Sequence, residues 1–384
     1  MAQWNRVPLI DYIELIGGGT PKTTVPEYWN GNIPWLSVKD FNNDKRYVYS
    51  TEKHISQSGF ENSPTKMLHK DDIIISARGT VGEIAMIPFD MAFNQSCYGI
   101  RASRGIDQPF LYYLLKNCIS QLKRMTHGSV FDTITRDTFA NIEVDIPDAE
   151  TQKRISSVLA DIDNKIEVND AINDNLQQQA AALFSSLYDR SNTEVRFTDL
   201  IQILGGGTPK TGENTYWNGK IAFFTPKDVG TPYTLITEKT ISKEGLSHCN
   251  SRLYPVNTVF VTARGTVGKV GMSGVPMAMN QSCYALVGKE THQLLVYFYT
   301  LKAVDRLKHK ASGAVFDAIT TRDFESEQIM KLSDDDAKAF LCVAKPMFQE
   351  VLNNNIENLR LSTLRDSLLP KLMSGEIDVS AVQL

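Results

Sequence analysis

Two sets of side chains, spaced alike, carry the chemistry that this sequence offers. The first holds Lys22, Lys39 and Arg78; the second holds Lys210, Lys227 and Arg264. Amides accompany them at Asn94-Gln95 and Asn280-Gln281. Hydroxyls stand at Thr20, Thr23 and Thr80, and again at Thr208, Thr211 and Thr266. A guanidinium can take guanine O6 and N7 together, and Asn or Gln can pair with adenine N6 and N7. Lysines and threonines suit phosphate oxygens, which position a protein on a duplex without reading it. Residues common to both sets cannot by themselves choose two different targets. They are expected to be frame, phosphate contacts, or readers of a base common to both. An Arg that bonds turn carbonyls is an equally good reading of Arg78 and Arg264, and the Asn-Gln pairs can equally brace their strands.

Other chemistries find less support. The six histidines make no zinc-type spacing, and the five cysteines (Cys97, Cys118, Cys249, Cys283, Cys342) form no CxxC and no disulfide framework. That pattern suits a reducing, cytoplasmic setting. No apolar run is long enough to span a membrane, and no secretory signal opens the chain. A self-contained DNA methyltransferase needs a [DNS]PP[YF] motif. The nearest match, Asp107-Gln108-Pro109-Phe110, lacks the middle proline. A PD-(D/E)xK nuclease pattern begins at Pro147-Asp148 but meets Gln152 where Lys is required. Net charge is −4, so overall charge does not advertise a nucleic-acid partner. Residues 1–150 carry 15 basic and 18 acidic side chains and residues 191–333 carry 16 and 12, which leaves any steering to local fields.

The elements that must hold these side chains are written twice. Gly17-Gly18-Gly19-Thr20-Pro21-Lys22-Thr23 is repeated as Gly205-Gly206-Gly207-Thr208-Pro209-Lys210-Thr211. Tyr28-Trp29-Asn30-Gly31 returns as Tyr216-Trp217-Asn218-Gly219. Ala77-Arg78-Gly79-Thr80-Val81-Gly82 returns as Ala263-Arg264-Gly265-Thr266-Val267-Gly268, and Asn94–Tyr98 as Asn280–Tyr284. The three glycines permit either a tight turn or a close approach to phosphate; the P-loop spacing is absent. A helix is expected over 7–16, capped by Asp11. Strands are expected at Ile33–Val38, Asp71–Ser76, Ile142–Pro147 and Ile221–Pro226. Helices are expected at Phe110–Met125 and Leu294–His309, each followed by a glycine turn at Gly128–Asp132 or Gly313–Asp317. Ser129 in the first of these turns joins the candidate DNA contacts. Each copy therefore reads as an α/β (α+β) globule of ordinary domain size.

Each globule leads into a segment of different character. From Thr151 to Tyr188 there is neither glycine nor proline. Ile155, Leu159, Ile162, Ile166, Asn169, Asn173, Leu176, Ala180, Leu183 and Leu187 alternate four and three apart, the seam of a coiled coil. Phe340, Ala344, Met347, Val351, Asn354, Asn358, Leu361, Arg365, Leu368 and Leu372 repeat it. Pro346 should kink or restart the second helix, Pro370 should end it near Leu369, and Arg365 should leave the outer seam partly exposed. The cheapest partner for either helix is its own repeat. In an antiparallel pair Asn169 faces Asn358 and Asn173 faces Asn354, as buried layers that fix register at some cost in stability. The expected division is 1–150, 151–190, 191–333 and 334–384: globule, long helix, globule, then long helix and tail.

With the doubled blocks, turns and helices together, the sequence resembles the specificity subunits of type I restriction-modification systems. The resemblance covers the whole chain, and the run Leu368–Ile377 resembles the way such subunits end. It implies two target-recognition domains in pseudo-two-fold tandem, each reading half of a bipartite double-stranded DNA target. It implies long helices packed as an antiparallel coiled coil, on which methyltransferase (modification) subunits dock and restriction-translocase subunits assemble. It implies no catalytic residue, metal or cofactor on this chain; S-adenosylmethionine, ATP and Mg are used by the partner subunits. Discrimination is then expected in the loops that differ between copies: Phe41–Ser50 with Lys45 and Arg46, Gln57–Lys70, Val229–Tyr233 and Lys243–Arg252. Three alternatives stand beside this reading: a related modification complex without a restriction subunit, a self-contained methyltransferase, and a scaffold that binds only proteins.

Overall fold

Alternation of apolar and polar residues decides the first element. Ile13 and Leu15 point inward and Glu14 outward, so Ile13–Gly17 is a strand antiparallel to Cys97–Ala102. The helix expected over 7–16 is thus a strand at Asn5–Pro8, one 3-10 turn at Leu9–Tyr12 and this second strand. Asp11 caps no α-helix; β-branched Ile13 and the buried period of two outweigh the helical spacing. The computed structural model describes residues 4–126, 133–230, 232–310 and 318–379. The glycine turns at 128–132 and 313–317, and with them Ser129, lie outside the described residues.

The chain divides into two units, Met1–Ile166 with Arg360–Leu384, and Glu167–Leu359. The divisions fall within the two long helices rather than at their ends. The first unit holds a four-stranded sheet in the order Ile13–Gly17, Cys97–Ala102, Ile73–Ser76, Ile84–Met86. A second sheet runs Lys53–Ile55, Trp29–Leu36, Met91–Phe93, Met67–Leu68, and Asn5–Pro8 pairs with Glu143–Ile146. Helix Gln108–Thr126 covers the first sheet with fully buried Phe110, Leu111, Tyr112 and Leu115.

The second unit repeats this plan. Ile201–Gly205, Cys283–Gly288, Val259–Thr262 and Val270–Ser273 form the matching sheet, extended by Tyr233–Thr234. Lys239–Ile241, Trp217–Phe224 and Met277–Met279 form the second sheet. Thr193–Arg196 pairs with Gln328–Lys331, and helix Gln293–Lys310 covers the core. The copies differ mainly at the sheet edges. A single bridge, Tyr254 to Met277, replaces the strand Met67–Leu68, and Tyr47 to Met86 replaces Tyr233–Thr234.

The long helices are Ala149–Asp189 and Asp334–Met373. The first starts where Asp148 accepts Thr151 N at 2.9 Å, a bond that holds its carboxylate below the ordinary range. The second starts where Ser333 Oγ accepts Asp336 N at 3.1 Å. Within the first unit, Ile155 and Leu159 meet Leu369, Leu372 and Met373 in the core, while Ile162, Ile166, Leu361 and Leu368 are half-buried. Within the second, Ala180, Leu187, Phe340, Ala344 and Val351 are buried, and Leu176, Leu183 and Met347 line the edge of the same core. Phe184 and Phe348, absent from the expected seam, join them; Phe184 stacks on Phe298 with ring centroids 5.0 Å apart.

The asparagine layers form as an antiparallel pairing requires. Asn169 Nδ2 donates to Asn358 Oδ1 at 2.8 Å and Asn354 Nδ2 donates to Asn173 Oδ1 at 2.9 Å. Flanking groups complete the layers: Asn169 Nδ2 also reaches Glu357, Asn173 reaches Asn355, and Asn358 reaches Asp170. Asn169 Oδ1 is buried without a donor, a cost that fits side chains kept for register.

Three seam expectations are corrected. The second helix passes unbroken through Pro346, which lies on an exposed turn, where water can satisfy the carbonyl that loses its donor. It also passes Pro370 and ends at Met373, ahead of Gly375 with φ +72°, so a left-handed glycine rather than proline closes it. Arg365 is not exposed. It is 3% accessible and bonds Asp163 Oδ1 at 2.8 Å and Asp44 Oδ2 at 3.1 Å. Two acidic partners outside its own helix compensate the buried charge, and neither is visible in the heptad pattern.

Candidate nucleic-acid interface

In the first unit the glycine block is pinned from inside. Gly19 N donates to Phe93 O at 2.9 Å, and Trp35 Nε1 donates to Gly19 O at 3.1 Å. A Cβ on Gly18 would lie 2.0 Å from Asn94 O, and one on Gly19 would lie 2.3 Å from Thr65 N. The second unit repeats the approach, at 2.2 Å from Asn280 O for Gly206 and 2.7 Å from Asn250 N for Gly207. Two of the three glycines are thus required by the protein's own backbone. Gly17 and Gly205 face open space.

The segment after Phe93 ties the block to the arginine turn. Thr20 Oγ1 hydrogen-bonds Gln95 Oε1, as Thr208 Oγ1 does Gln281 Oε1. Asn94 Oδ1 accepts Ser96 N at 3.1 Å and Asn280 Oδ1 accepts Ser282 N at 3.0 Å, so these asparagines brace their turns. Ser96 O then accepts Ala77 N at 2.8 Å and Arg78 N at 3.2 Å. Ser282 O accepts Ala263 N and Arg264 N at the same two distances. Beyond these bonds Gly79 (φ +78°) and Gly265 (φ +81°) reverse the chain with no atom near a would-be Cβ, so each turn ends as an exposed tip.

The candidate side chains accordingly fall into groups. Lys22, Thr23, Arg78, Thr80 and Gln95 are exposed, as are Thr208, Lys210, Thr211, Arg264, Thr266 and Gln281; Thr20 is half-buried. Among the described residues neither Arg78 nor Arg264 makes a side-chain hydrogen bond or ion pair, so the reading in which they bond turn carbonyls does not hold there. Lys39 lies 4.0 Å from Glu52 and Lys227 lies 3.6 Å from Glu238, which offsets their charge. Lys45 is exposed. Arg46 is turned to another use: its guanidinium lies over Tyr47 at 4.9 Å and bonds Asn164 and Ala160 O of the first long helix. With Asp44 bound to Lys116 at 2.8 Å and to Arg365, the Phe41–Ser50 loop is anchored at its centre. Of the two cations that suggested a base-reading loop, Arg46 is spent on packing. At its second-copy counterpart, Val229–Tyr233, Tyr233 is buried and bonds Asn257 at 2.9 Å.

The other divergent loops share one frame. Ser56 Oγ caps helix Gln57–Glu61 and donates to Glu27 O at 2.6 Å; Ser242 Oγ caps Lys243–Ser247 and donates to Thr215 O at 2.7 Å. A Cβ on Gly59 would lie 2.3 Å from Tyr28 O, and one on Gly245 2.3 Å from Tyr216 O. Each capped turn is thereby clamped to the segment that follows the glycine block, 24–27 or 212–215. Sequence reasoning passed over those two segments. Their signal was equal length with unlike residues, Thr24-Val25-Pro26-Glu27 against Gly212-Glu213-Asn214-Thr215.

The cysteines beside these turns, Cys97 and Cys283, are buried. Burial, with Asp40 adding its charge, pushes the Cys97 thiol up to about 12; burial and Asp228 push Cys283 up to about 12 likewise. Among the described residues no group of His, Cys, Asp and Glu could hold a metal ion, and no helix is long and apolar enough to cross a membrane.

Comparison with known proteins gives a consistent result. A family model described as the type I restriction modification DNA specificity domain matches residues 1–178 and 190–331. The chain is 24% identical over 406 residues to the type I restriction enzyme MjaIX specificity subunit of Methanocaldococcus jannaschii, covering 98% of this chain and 94% of that one. It is 25% identical over 354 residues to the HindI specificity subunit of Haemophilus influenzae, covering 70% and 77%. In fold it is similar to the crystal structure of a type I restriction-modification S subunit from M. genitalium, with TM-score 0.58 and 14% identity over 97% of this chain and 96% of that one.

Proposed function

The chain belongs to the type I restriction-modification DNA specificity family, and from that premise we propose that it is the sequence-specific DNA-binding subunit of such a complex. Each unit reads one half of a bipartite duplex target. The long helices dock methyltransferase subunits, and restriction-translocase subunits join that assembly in the cytoplasm. The chain itself is non-catalytic. Partner subunits bind S-adenosylmethionine for adenine methylation, and use ATP and Mg for restriction.

One observation carries the reading. Each unit presents an exposed Arg, a Gln amide, threonine hydroxyls and a Lys on neighbouring turns, held by the same backbone bonds. An exposed guanidinium on such a turn can bond guanine in the major groove, and Lys22 and Lys210 can take phosphates. Pre-set turns lose little freedom when DNA arrives. The purified chain, mixed with its methyltransferase partner and labelled S-adenosylmethionine, should give sequence-specific adenine methylation only when both proteins are present. Methylation by this chain alone would overturn the non-catalytic assignment. DNA binding that ignores sequence in the assembled complex would overturn the recognition role.

A further inference from the structure

Each unit carries two adjoining surfaces with opposite relations to its repeat. One is shared: Thr20, Lys22, Arg78, Thr80 and Gln95 recur as Thr208, Lys210, Arg264, Thr266 and Gln281. Its backbone–backbone bonds match in both units, down to the two contacts on Ser96 O and Ser282 O; the side chains that bond the glycine block differ, Trp35 at Gly19 O in the first and Tyr254 at Gly205 O in the second. The other surface is individual. Segments 24–27 and 57–66 in the first unit, and 212–215 and 243–252 in the second, are clamped together by Ser56 or Ser242 on one frame. Their exposed side chains differ: Ser58 against Glu244, Asn62 against His248, Pro64 against Asn250. His248 stacks on Tyr216 at 4.9 Å, and Asn62 replaces it in the first unit. The surfaces meet at the glycine block, where Gly19 abuts Pro64-Thr65 and Gly207 abuts Asn250.

We propose that the two half-sites of the target are related sequences. They share the base pairs faced by the common surface and differ at base pairs chosen by 24–27 with 57–66, and by 212–215 with 243–252. This rests on the reading of the chain as a DNA specificity subunit and adds which parts of the target must match. The argument is one of equal cause and equal effect. An Arg and a Gln set on matching turns by the same backbone bonds offer the same donors and acceptors from the same places, and so prefer the same base edges. A capped turn with one frame and different side chains presents different groups at the same place. The loop Phe41–Ser50, although divergent, is excluded from this choice because Asp44 and Arg46 tie it to the helices.

The test uses the full chain in complex with its methyltransferase subunits, with single-molecule sequencing of the DNA it methylates. The wild-type motif should show two halves alike at some positions and unlike at others, as inverted or direct copies. In a chimera, 24–27 and 57–66 are replaced by 212–215 and 243–252, segments of equal length. The first half-site should then change to match the second, with the second unchanged. Should the chimera methylate nothing, the single variants Asn62→His and Pro64→Asn replace it, and each should relax or alter only the first half-site. Wild-type halves with nothing in common overturn the proposal. So does a chimera, or both single variants, methylating the unaltered target at undiminished rate. Absence of all methylation by the wild-type complex would instead count against the specificity-subunit reading.

Discussion

Arg365 Nη1 lies 2.8 Å from Asp163 Oδ1, and both side chains are only 4% accessible. Tyr113 donates to the other oxygen of Asp163 at 2.7 Å. The corresponding places in the second copy hold Ala180, Phe348 and Phe298, all buried, with Phe298 and Phe348 5.5 Å apart. One copy therefore has a buried ion pair where the other has an aromatic cluster. Breaking such a pair leaves a charge without compensation. Arg365→Ala should destabilise the first unit by about 3–5 kcal/mol, read by denaturant unfolding of the full chain. Replacing Asp163→Ala in the same chain should recover part of the loss. Equal losses in Arg365→Ala and the double variant would show that packing, not charge, is what Arg365 supplies.

Asp44 extends that cluster to the surface and gives it a pH dependence. Burial alone would raise its pKa, but Lys116 and Arg365 outweigh burial and hold the carboxylate below its ordinary value of 3.8. A group depressed in the folded state stabilises fully above its unfolded pKa, and the gain is lost as pH falls through the folded one. The contribution should be constant above about pH 5 and fade below about pH 4. Asp44→Asn should lower stability at neutral pH and reduce the further loss on acidification. Parallel wild-type and variant curves from pH 6 to pH 2.5 would refute the linkage.

The asparagine layer makes a paired prediction. Asn173→Leu leaves Asn354 Nδ2 buried without its acceptor, which costs about 1–3 kcal/mol. Adding Asn354→Leu removes the orphan, and stability should return to wild type or above. Thermal unfolding of the single and double variants measures both steps. A double variant no more stable than the single one would show that the layer is not paired in solution.

Much of this fold was legible because the sequence states it twice. Apolar β-branched residues located the strand Ile73–Ser76, and the seam spacing located the asparagine partners. Local propensity failed where tertiary contacts decide. Ile13 and Leu15 fit a helix and a strand alike until Cys97–Ala102 lies beside them. Arg365 breaks the heptad because its partners come from Asp44 and Asp163, far away in sequence. For the same reason Arg46 looked free for a ligand: a cation's exposure depends on what packs against it, and periodicity carries no word of that.

The cysteines offer a check on the described cores. Cys342 is exposed, while Cys97, Cys118 and Cys283 are buried. Burial pushes the Cys118 thiol up to about 11 and Cys97 and Cys283 up to about 12, so almost none is thiolate at pH 8. A thiol reagent under native conditions should modify Cys342 first and leave these three until the chain unfolds. Peptide mapping after a short pulse reads the order. Early labelling of Cys97 or Cys283 would mean that the segment joining the glycine block to the arginine turn opens in solution.

Arg78 and Lys22 should separate base reading from phosphate binding. Both are exposed and lie on neighbouring turns, joined through Gln95 and Ser96. If Arg78 bonds a guanine edge, Arg78→Ala should cost about 1–3 kcal/mol in affinity of the assembled complex and relax the target at one position of one half-site. If Lys22 neutralises a phosphate, Lys22→Ala should weaken all duplexes alike and lower the salt slope of binding by about 1. Arg264→Ala and Lys210→Ala should repeat the two patterns on the other half-site. Binding measured from low to moderate salt, against the target and single-position variants of it, distinguishes the outcomes. A salt slope lowered by Arg78→Ala, with sequence preference unchanged, would reassign the arginine to phosphate. It would also move base choice wholly to the capped turns at Ser56 and Ser242, whose differing side chains would then have to carry all discrimination.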